Sequence, residues 1–198
     1  DLYLENISKY NFTKNWTMEM LEQFIKNPLN ISLVALKKND VDAVVAGAVT
    51  STADVIRSSV RVIGLEERVR FLSSSFYMVS PDYKKTYTFA DCAVIPEPSS
   101  EQLCMIAYEA AKMHSLLSKK EPKIAFLSFS TKGSANHYKV QKVKEAVKMF
   151  KKKYPDILHD GELQFDVAVN SDVARRKNSN IILKGNANVF IFPDLDSG

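Results

Sequence analysis

Along the chain, apolar positions switch between helical spacing and short continuous runs. Met18, Leu21, Phe24 and Ile25 share one helical face behind Thr17, a good cap, and Asn27-Pro28 is read as the end of that helix. Residues 31–36 read as a strand, 37–40 as a turn, and 43–49 as a continuous buried strand. Ser51-Thr52-Ala53-Asp54 is close to a capping box. It opens a helix with Ile56, Val60 and Ile63 inward, stopped by Gly64. Residues 69–79 and 86–94 are β-rich and flank a Pro81-Asp82 turn, which predicts an antiparallel excursion.

The second half continues the alternation. Ser99 with Gln102 forms a capping box for a long helix with Leu103, Ile106, Ala107, Ala110 and Leu117 inward. Residues 124–129 form a buried strand, followed by a polar loop and a helix carrying Val140, Val143, Val147 and Phe150. Asp160-Gly161 reads as a turn, 163–177 as helical, and 189–192 as a strand running into Pro193-Asp194. Strands alternating with helices predict an α/β fold with mainly parallel sheets, flanking helices and right-handed crossovers. The sequence opens within a helical pattern and closes on a strand with no helix after it, and so reads as cut at both ends.

Composition adds limits rather than direction. With 198 residues, 45% hydrophobic and 25% charged, the chain is of ordinary globular type and long enough to bury a core without staples. No run approaches the ~20 apolar residues of a membrane span, and the first residues lack a signal-peptide pattern. Cys92 and Cys104 fall in a predicted strand and helix. Two buried thiols suit a reducing, cytoplasmic setting. The net charge of +4 is scattered over turns and helix ends, such as Lys119-Lys120 and Lys151-Lys152-Lys153, and no nucleic-acid motif accompanies it. A positive surplus also suits an enzyme of polyanionic substrates.

Two strand-to-helix junctions could hold an anion on helix N–H groups. The first joins Gly47 to Arg57: Thr50, Ser51 and Thr52 supply hydroxyls, and Arg57 stands one turn into the helix. A merely capped helix with a surface arginine is the other reading. The second is Ser130-Thr131-Lys132-Gly133-Ser134, an anion nest or a plain polar loop. It lacks the glycine order of a P-loop. If both loops bind, they should converge across an interdomain cleft. His114, His137 and His159 have no metal spacing, and no metal site is expected. Asp160, Glu162 and Asp166 could do acid/base work, and Tyr77, Met78 and Phe89 fit a core or an interface.

Four segments, in order, carry a resemblance. Residues 42–57, DAVVAGAVTSTADVIR, are similar to the D-(A/G)-x-V-x-G-A-x-x-(S/T)-(T/S)-x-D-x-x-R signature of the phosphate acetyl/butyryl-transferase family. Residues 127–135 resemble its L-S-(Y/F)-S-T-K-G-S-A, residues 160–166 its D-G-(E/P)-L-Q-x-D, and residues 185–198 its G-x-A-x-V-(F/L)-I-F-P-D-L-x-x-G. The match to the acetyl branch is the tighter one.

The resemblance implies two α/β domains around a cleft, as in isocitrate dehydrogenase, with residues 1–74 in the first and 75–198 in the second. It implies reversible acetyl transfer between acetyl phosphate and coenzyme A, by attack of the coenzyme A thiolate on the acetyl carbonyl. Coenzyme A is then a substrate and no bound cofactor is expected. The partners would be coenzyme A, an acyl phosphate and a second copy in a homodimer. Arg57 matches the family's substrate- and coenzyme-binding arginine. The segment credited with base catalysis and phosphate binding, Asp-Leu-Ser-Arg-Gly and an aspartate just after it, is expected beyond Gly198. The family's early arginine would fall near Ile7-Ser8-Lys9, where there is none. Alternatives are a phosphate butyryltransferase, an acetyl-CoA-sensing domain of the kind fused to malic enzymes, and a dimerisation remnant without turnover.

Overall fold

The computed structural model describes residues 2–67, 69, 71–178 and 180–198. The chain divides into two units, Asp1–Phe71 and Leu72–Gly198. The first is helical. It contains α1 (Leu2–Ser8), α2 (Met18–Lys26), α3 (Pro28–Lys37) and α4 (Thr52–Val62). Thr17 caps α2 as expected, accepting from Met20 N at 3.3 Å. The strand expected over 31–36 is instead helix α3. Asn27 Oδ1 accepts from Leu29 N at 2.9 Å, and Pro28 supplies a preset φ at the first helical position. Asn-Pro thus opens one helix as well as closing another, and Leu29, Leu33 and Val34 enter the core beside Ile7, Leu21 and Val62. Lys37 Nζ donates to Val62 O at 2.5 Å, capping the end of α4.

Residues 43–49 form no strand, against expectation. Unit 1 has no strand among the described residues, so no ladder is available, and Val45 and Val49 stand fully exposed. The inner face of α4 also differs: Val62 is buried and Val55 packs on the core, whereas Val60 and Ile63 are exposed.

Unit 2 is a five-stranded sheet in the order β1-β2-β5-β3-β4. Strand β1 (Phe76–Val79) pairs antiparallel with β2 (Thr86–Ala90), which gives the expected excursion in a shorter form. The expected strand over 69–79 includes residue 70, which lies outside the described residues. The remaining pairs are parallel. Helix α5 (Ser100–Ser118) starts at the complete Ser99/Gln102 capping box and precedes β3 (Ile124–Leu127). Helix α6 (Tyr138–Lys153) leads to β4 (His159–Leu163). Two short helices, α7 (Phe165–Val169) and α8 (Ser171–Lys177), precede β5 (Val189–Ile191).

Asp160-Gly161 is therefore inside a strand rather than a turn, and Leu163 ends that strand rather than starting a helix. Cys92 lies just past the end of β2, not within it. Phe89, Phe165, Phe190 and Phe192 pack together on the α7–α8 side of the sheet. The other side meets α5 and α6, with Phe126 edge-on to Phe150. On that side His114, not Leu117, is buried. Its Nδ1 lies 3.0 Å from Thr88 Oγ1, and burial holds its imidazole below the ordinary value, with Lys120 adding to the effect.

Candidate functional site

Parallel strands β2, β5, β3 and β4 end on one edge, and each passes into a polar segment there. Ser128 N donates to Leu163 O at 2.9 Å, so the loop after β3 begins as a continuation of the ladder. It then folds over the end of β4. Glu162 Oε1 accepts from Gly133 N at 2.7 Å and from Ser130 Oγ at 3.0 Å, and Lys144 Nζ stands 3.9 Å away. Lys132 pairs with Asp160 and donates to Gly161 O at 3.1 Å. Thr131 and Gln164 exchange bonds: Thr131 Oγ1 donates to Gln164 Oε1 at 3.2 Å and accepts from Gln164 N at 3.0 Å. Ser134 Oγ accepts from Thr131 N at 3.0 Å.

This corrects the picture of an open anion nest. The loop does bind an anion, but the anion is the buried carboxylate of Glu162. Ser130, Thr131, Asp160 and Glu162 are all buried, and Lys132 is half-buried. Only Gly133 and Ser134 of the five loop residues face solvent. Gly133, at φ +87°, provides the left-handed turn that aims its N–H at the carboxylate. Sequence reasoning named Asp160 and Glu162 for acid/base work and missed their role as loop anchors. The signal was present: Asp160, Glu162 and Gln164 are two apart, the period of a strand.

The same edge holds a second set of polar groups. Asp91 is buried, and its carboxylate collects Ser74 Oγ and the N–H groups of Ala93, Val94 and Ile95. Beside it the Cys92 thiol is half-buried, and burial together with the Asp91 charge pushes it up to about 11. Lys139, at the start of α6, pairs with Asp194 at 3.1 Å, and Lys142 donates to Pro193 O at 2.9 Å. Burial raises Asp194, but the Ser197 hydroxyl and Lys139 outweigh it and hold the carboxyl below its usual range. His137 is exposed and caps α6, accepting from Lys139 N at 3.3 Å.

The first candidate segment lies in unit 1 and is built differently. Ser51 Oγ accepts from Asp54 N at 3.1 Å and donates to the Asp54 carboxylate at 2.6 Å. That carboxylate holds Arg57 Nη2 at 2.5 Å. Ser51, Thr52 and Arg57 are exposed, Thr50 is half-buried, and the guanidinium side chain is 70% exposed. The Ser51 hydroxyl and then Arg57 hold the Asp54 carboxyl below its ordinary value. Asp54 thus orients Arg57 without burying it. Among the described residues, no group of histidine, cysteine and carboxylate side chains could hold a metal, and no helix is long and apolar enough to cross a membrane.

The model of the phosphate acetyl/butaryl transferase family matches residues 1–198. The chain belongs to this family. It is 41% identical to a phosphate acetyltransferase of Clostridium acetobutylicum over 202 residues, covering 100% of this chain and 61% of the relative. A phosphate acetyltransferase of Acetivibrio thermocellus is 36% identical, with 99% and 60% covered. Among solved structures, EutD phosphotransacetylase from Staphylococcus aureus superposes with a TM-score of 0.85 at 35% identity, over 100% of this chain and 60% of that one. A phosphotransacetylase from Streptococcus pyogenes gives 0.83 at 34%, with the same coverage. The chain therefore spans about three fifths of these phosphate acetyl/butaryl transferase relatives, and its mainly parallel α/β fold is theirs.

Proposed function

We propose that this protein transfers an acetyl group reversibly between acetyl phosphate and coenzyme A. The observation that carries the reading is relationship over the full 198 residues to proteins named phosphate acetyltransferase. In this reading coenzyme A and the acyl phosphate are substrates, the whole protein has a two-domain architecture like that of isocitrate dehydrogenase, and it works as a cytoplasmic homodimer. Residues 1–74 and 75–198 belong to its two domains. Thr50, Ser51, Thr52 and Arg57 bind a phosphate, the guanidinium by a charge-assisted bond. The exposed rim of the second loop, Gly133 and Ser134, contacts substrate as well. Ser130, Thr131 and Lys132 act one step back, holding that rim in place.

The base for the thiol and a further phosphate arginine are assigned to an Asp-Leu-Ser-Arg-Gly segment and the aspartate just after it; that segment does not occur in these 198 residues. By themselves the 198 residues are expected to have no turnover. A thiol-coupled assay tests this: a longer polypeptide containing such a segment should form acetyl-CoA, and the 198 residues alone should match the blank. Turnover by the 198 residues would place the base within them. One observation favours the acetyl-CoA-sensing alternative. Near Ile7-Ser8-Lys9, where the family has an arginine, Lys9 just past α1 pairs at 2.8 Å with Glu5, both side chains being exposed. Coenzyme A binding without turnover by the longer polypeptide would select that alternative.

A further inference from the structure

We propose that Lys142 is a site of self-acylation, where the ε-amine takes the acetyl group of an acetyl phosphate molecule and becomes an N-acetyl-lysine. This rests on the reading above only for the identity of the acyl donor.

Four lysines stand around the edge where the parallel strands end, and their partners differ. Lys132 pairs with Asp160, Lys139 with Asp194 at 3.1 Å, and Lys144 lies 3.9 Å from Glu162. Lys142 has a neutral acceptor instead. Its Nζ donates to the carbonyl oxygen of Pro193 at 2.9 Å, and among the described residues it forms no ion pair. The helical period explains the difference. Lys139 and Lys142 are three apart on α6, so both overlie the turn after β5. Asp194 is already held there by Lys139 and by the Ser197 hydroxyl, and Lys142, half-buried, reaches only the backbone before it.

An amine that loses water without gaining a counter-charge favours its neutral form. The charged groups facing Lys142 are Glu97 from the loop before α5, Asp194 after β5 and Lys139 on its own helix. Burial acts most strongly and holds the amine below the ordinary lysine value, although Glu97 and Asp194 oppose it. One turn away, the hydrogen bond and charge of Asp194 move Lys139 upward. The two amines share a helix and an edge, and the fold pushes them in opposite directions.

Only the neutral amine has a lone pair to give, and desolvated lysines serve as nucleophiles for that reason. Acetyl phosphate is a mixed anhydride and acylates amines directly. The Lys142 nitrogen attacks the acetyl carbon and a C–N bond forms. The bond from that carbon to the phosphate oxygen breaks, and inorganic phosphate leaves with the electron pair. The nitrogen then gives one proton to water, and no oxidant, reductant or metal enters the balance. Gly133 and Ser134 belong to the same edge, so substrate held there raises the local concentration of the donor. The acetylated residue carries no charge, and an edge that receives polyanions loses a cation.

Incubation of the 198-residue chain with acetyl phosphate, followed lysine by lysine with peptide mass spectrometry, tests this without any need for turnover. At about pH 8, well below the ordinary lysine pKa, Lys142 should be acetylated roughly five times faster than Lys139. It should lead by a similar factor over Lys148, an exposed lysine of the same helix. In concentrated urea the three rates should converge. Lys142→Arg should abolish the fast label and leave the other rates and the circular-dichroism spectrum unchanged. A rate at Lys142 no greater than at Lys139 and Lys148 overturns the proposal. So does a lead that persists in urea, since it would belong to the local sequence and not to the fold. Acetyl-CoA formation by the longer polypeptide is read separately: turnover with no lead at Lys142 strikes the self-acylation alone, and a lead without turnover strikes only the acetyltransferase reading.

Discussion

Two segments of this chain look alike as sequence and differ as structure. Residues 47–57 and 128–135 each place glycine, hydroxyls and a cation near a helix start, and each matches a family motif. In the second, nearly every donor already has a partner inside the fold: Ser130 and Gly133 on Glu162, Lys132 on Asp160, Thr131 on Gln164. In the first, the groups are held only by near neighbours in sequence, and the side chains remain in water. A hydroxyl-rich loop is therefore not by itself a ligand site. What decides is whether an acidic group from another element has already filled it.

The sharpest way to break the comparison is to empty the filled loop. Glu162→Ala leaves the Gly133 N–H and the Ser130 hydroxyl without their buried acceptor and Lys144 without its counter-charge. At ~1–3 kcal/mol for each donor that loses its acceptor, the two together should cost ~2–4 kcal/mol. Urea unfolding should show that loss in the midpoint, and Glu162→Gln should recover much of it by keeping an acceptor in place. A cost below ~1 kcal/mol for the alanine variant would mean the carboxylate is dispensable, and the loop would again qualify as an open nest.

Next in size is a pair of glycine substitutions, one in the strand that supports the filled loop and one in the open segment. A Cβ on Gly161 would lie 2.7 Å from Val147 Cγ2 and 2.8 Å from Phe126 Cβ. Gly161→Ala therefore overpacks the joint between β4 and α6 and should cost ~1–3 kcal/mol. Gly47 has open space around it, and its φ of +109° is the only obstacle to a side chain. Gly47→Ala should cost about 1 kcal/mol, from backbone strain alone. Equal or reversed costs would show that 43–49 is packed more tightly than its exposure indicates.

How far the sequence foretold this depended on the range of the interactions. Caps were legible because donor and acceptor are neighbours: Thr17, Ser51 and the Ser99/Gln102 box all behave as the spacing implied. So were β3 and β5, whose apolar runs leave little choice. Residues 31–36 misled because Ile31 and Val34 are β-branched, while the decisive signal, Asn27-Pro28, works in both directions. Asp160-Gly161 misled because its reason for being a strand, the ladder with β3 in which Ala125 faces Asp160, is distant in sequence. The candidate residues were legible as a set. That one loop is closed on itself and the other open was not, because that distinction is made only by long-range partners.

A smaller effect sharpens the open side. Ser51→Ala removes the cap of α4 and one of the two groups orienting Asp54, and should cost about 1 kcal/mol. Thermal unfolding checks it, with Ser51→Asp or Ser51→Asn expected to restore the midpoint. A silent alanine variant would mean that the Asp54 N–H is satisfied by water.

The smallest stability effect belongs to Arg57, and it matters most for function. Its guanidinium is largely in water, its partner Asp54 is on the same helix turn, and exposed pairs of this kind contribute little to folding. Arg57→Ala should leave the unfolding midpoint unchanged. If the arginine binds a substrate phosphate, the same substitution in a catalytically competent form of the protein should raise KM by roughly 10- to 100-fold, the loss of one charge-assisted hydrogen bond. Lysine at this position should restore only part of that, since it keeps the charge but not the planar two-pronged donor. The split is the informative result: a group poised for a ligand moves KM and not the midpoint, whereas a group built into the fold moves the midpoint first, as Glu162 is expected to do. An unchanged KM for both substrates would reduce Arg57 to a solvated end of a capped helix, and the open loop would lose its claim to be the binding side of this molecule.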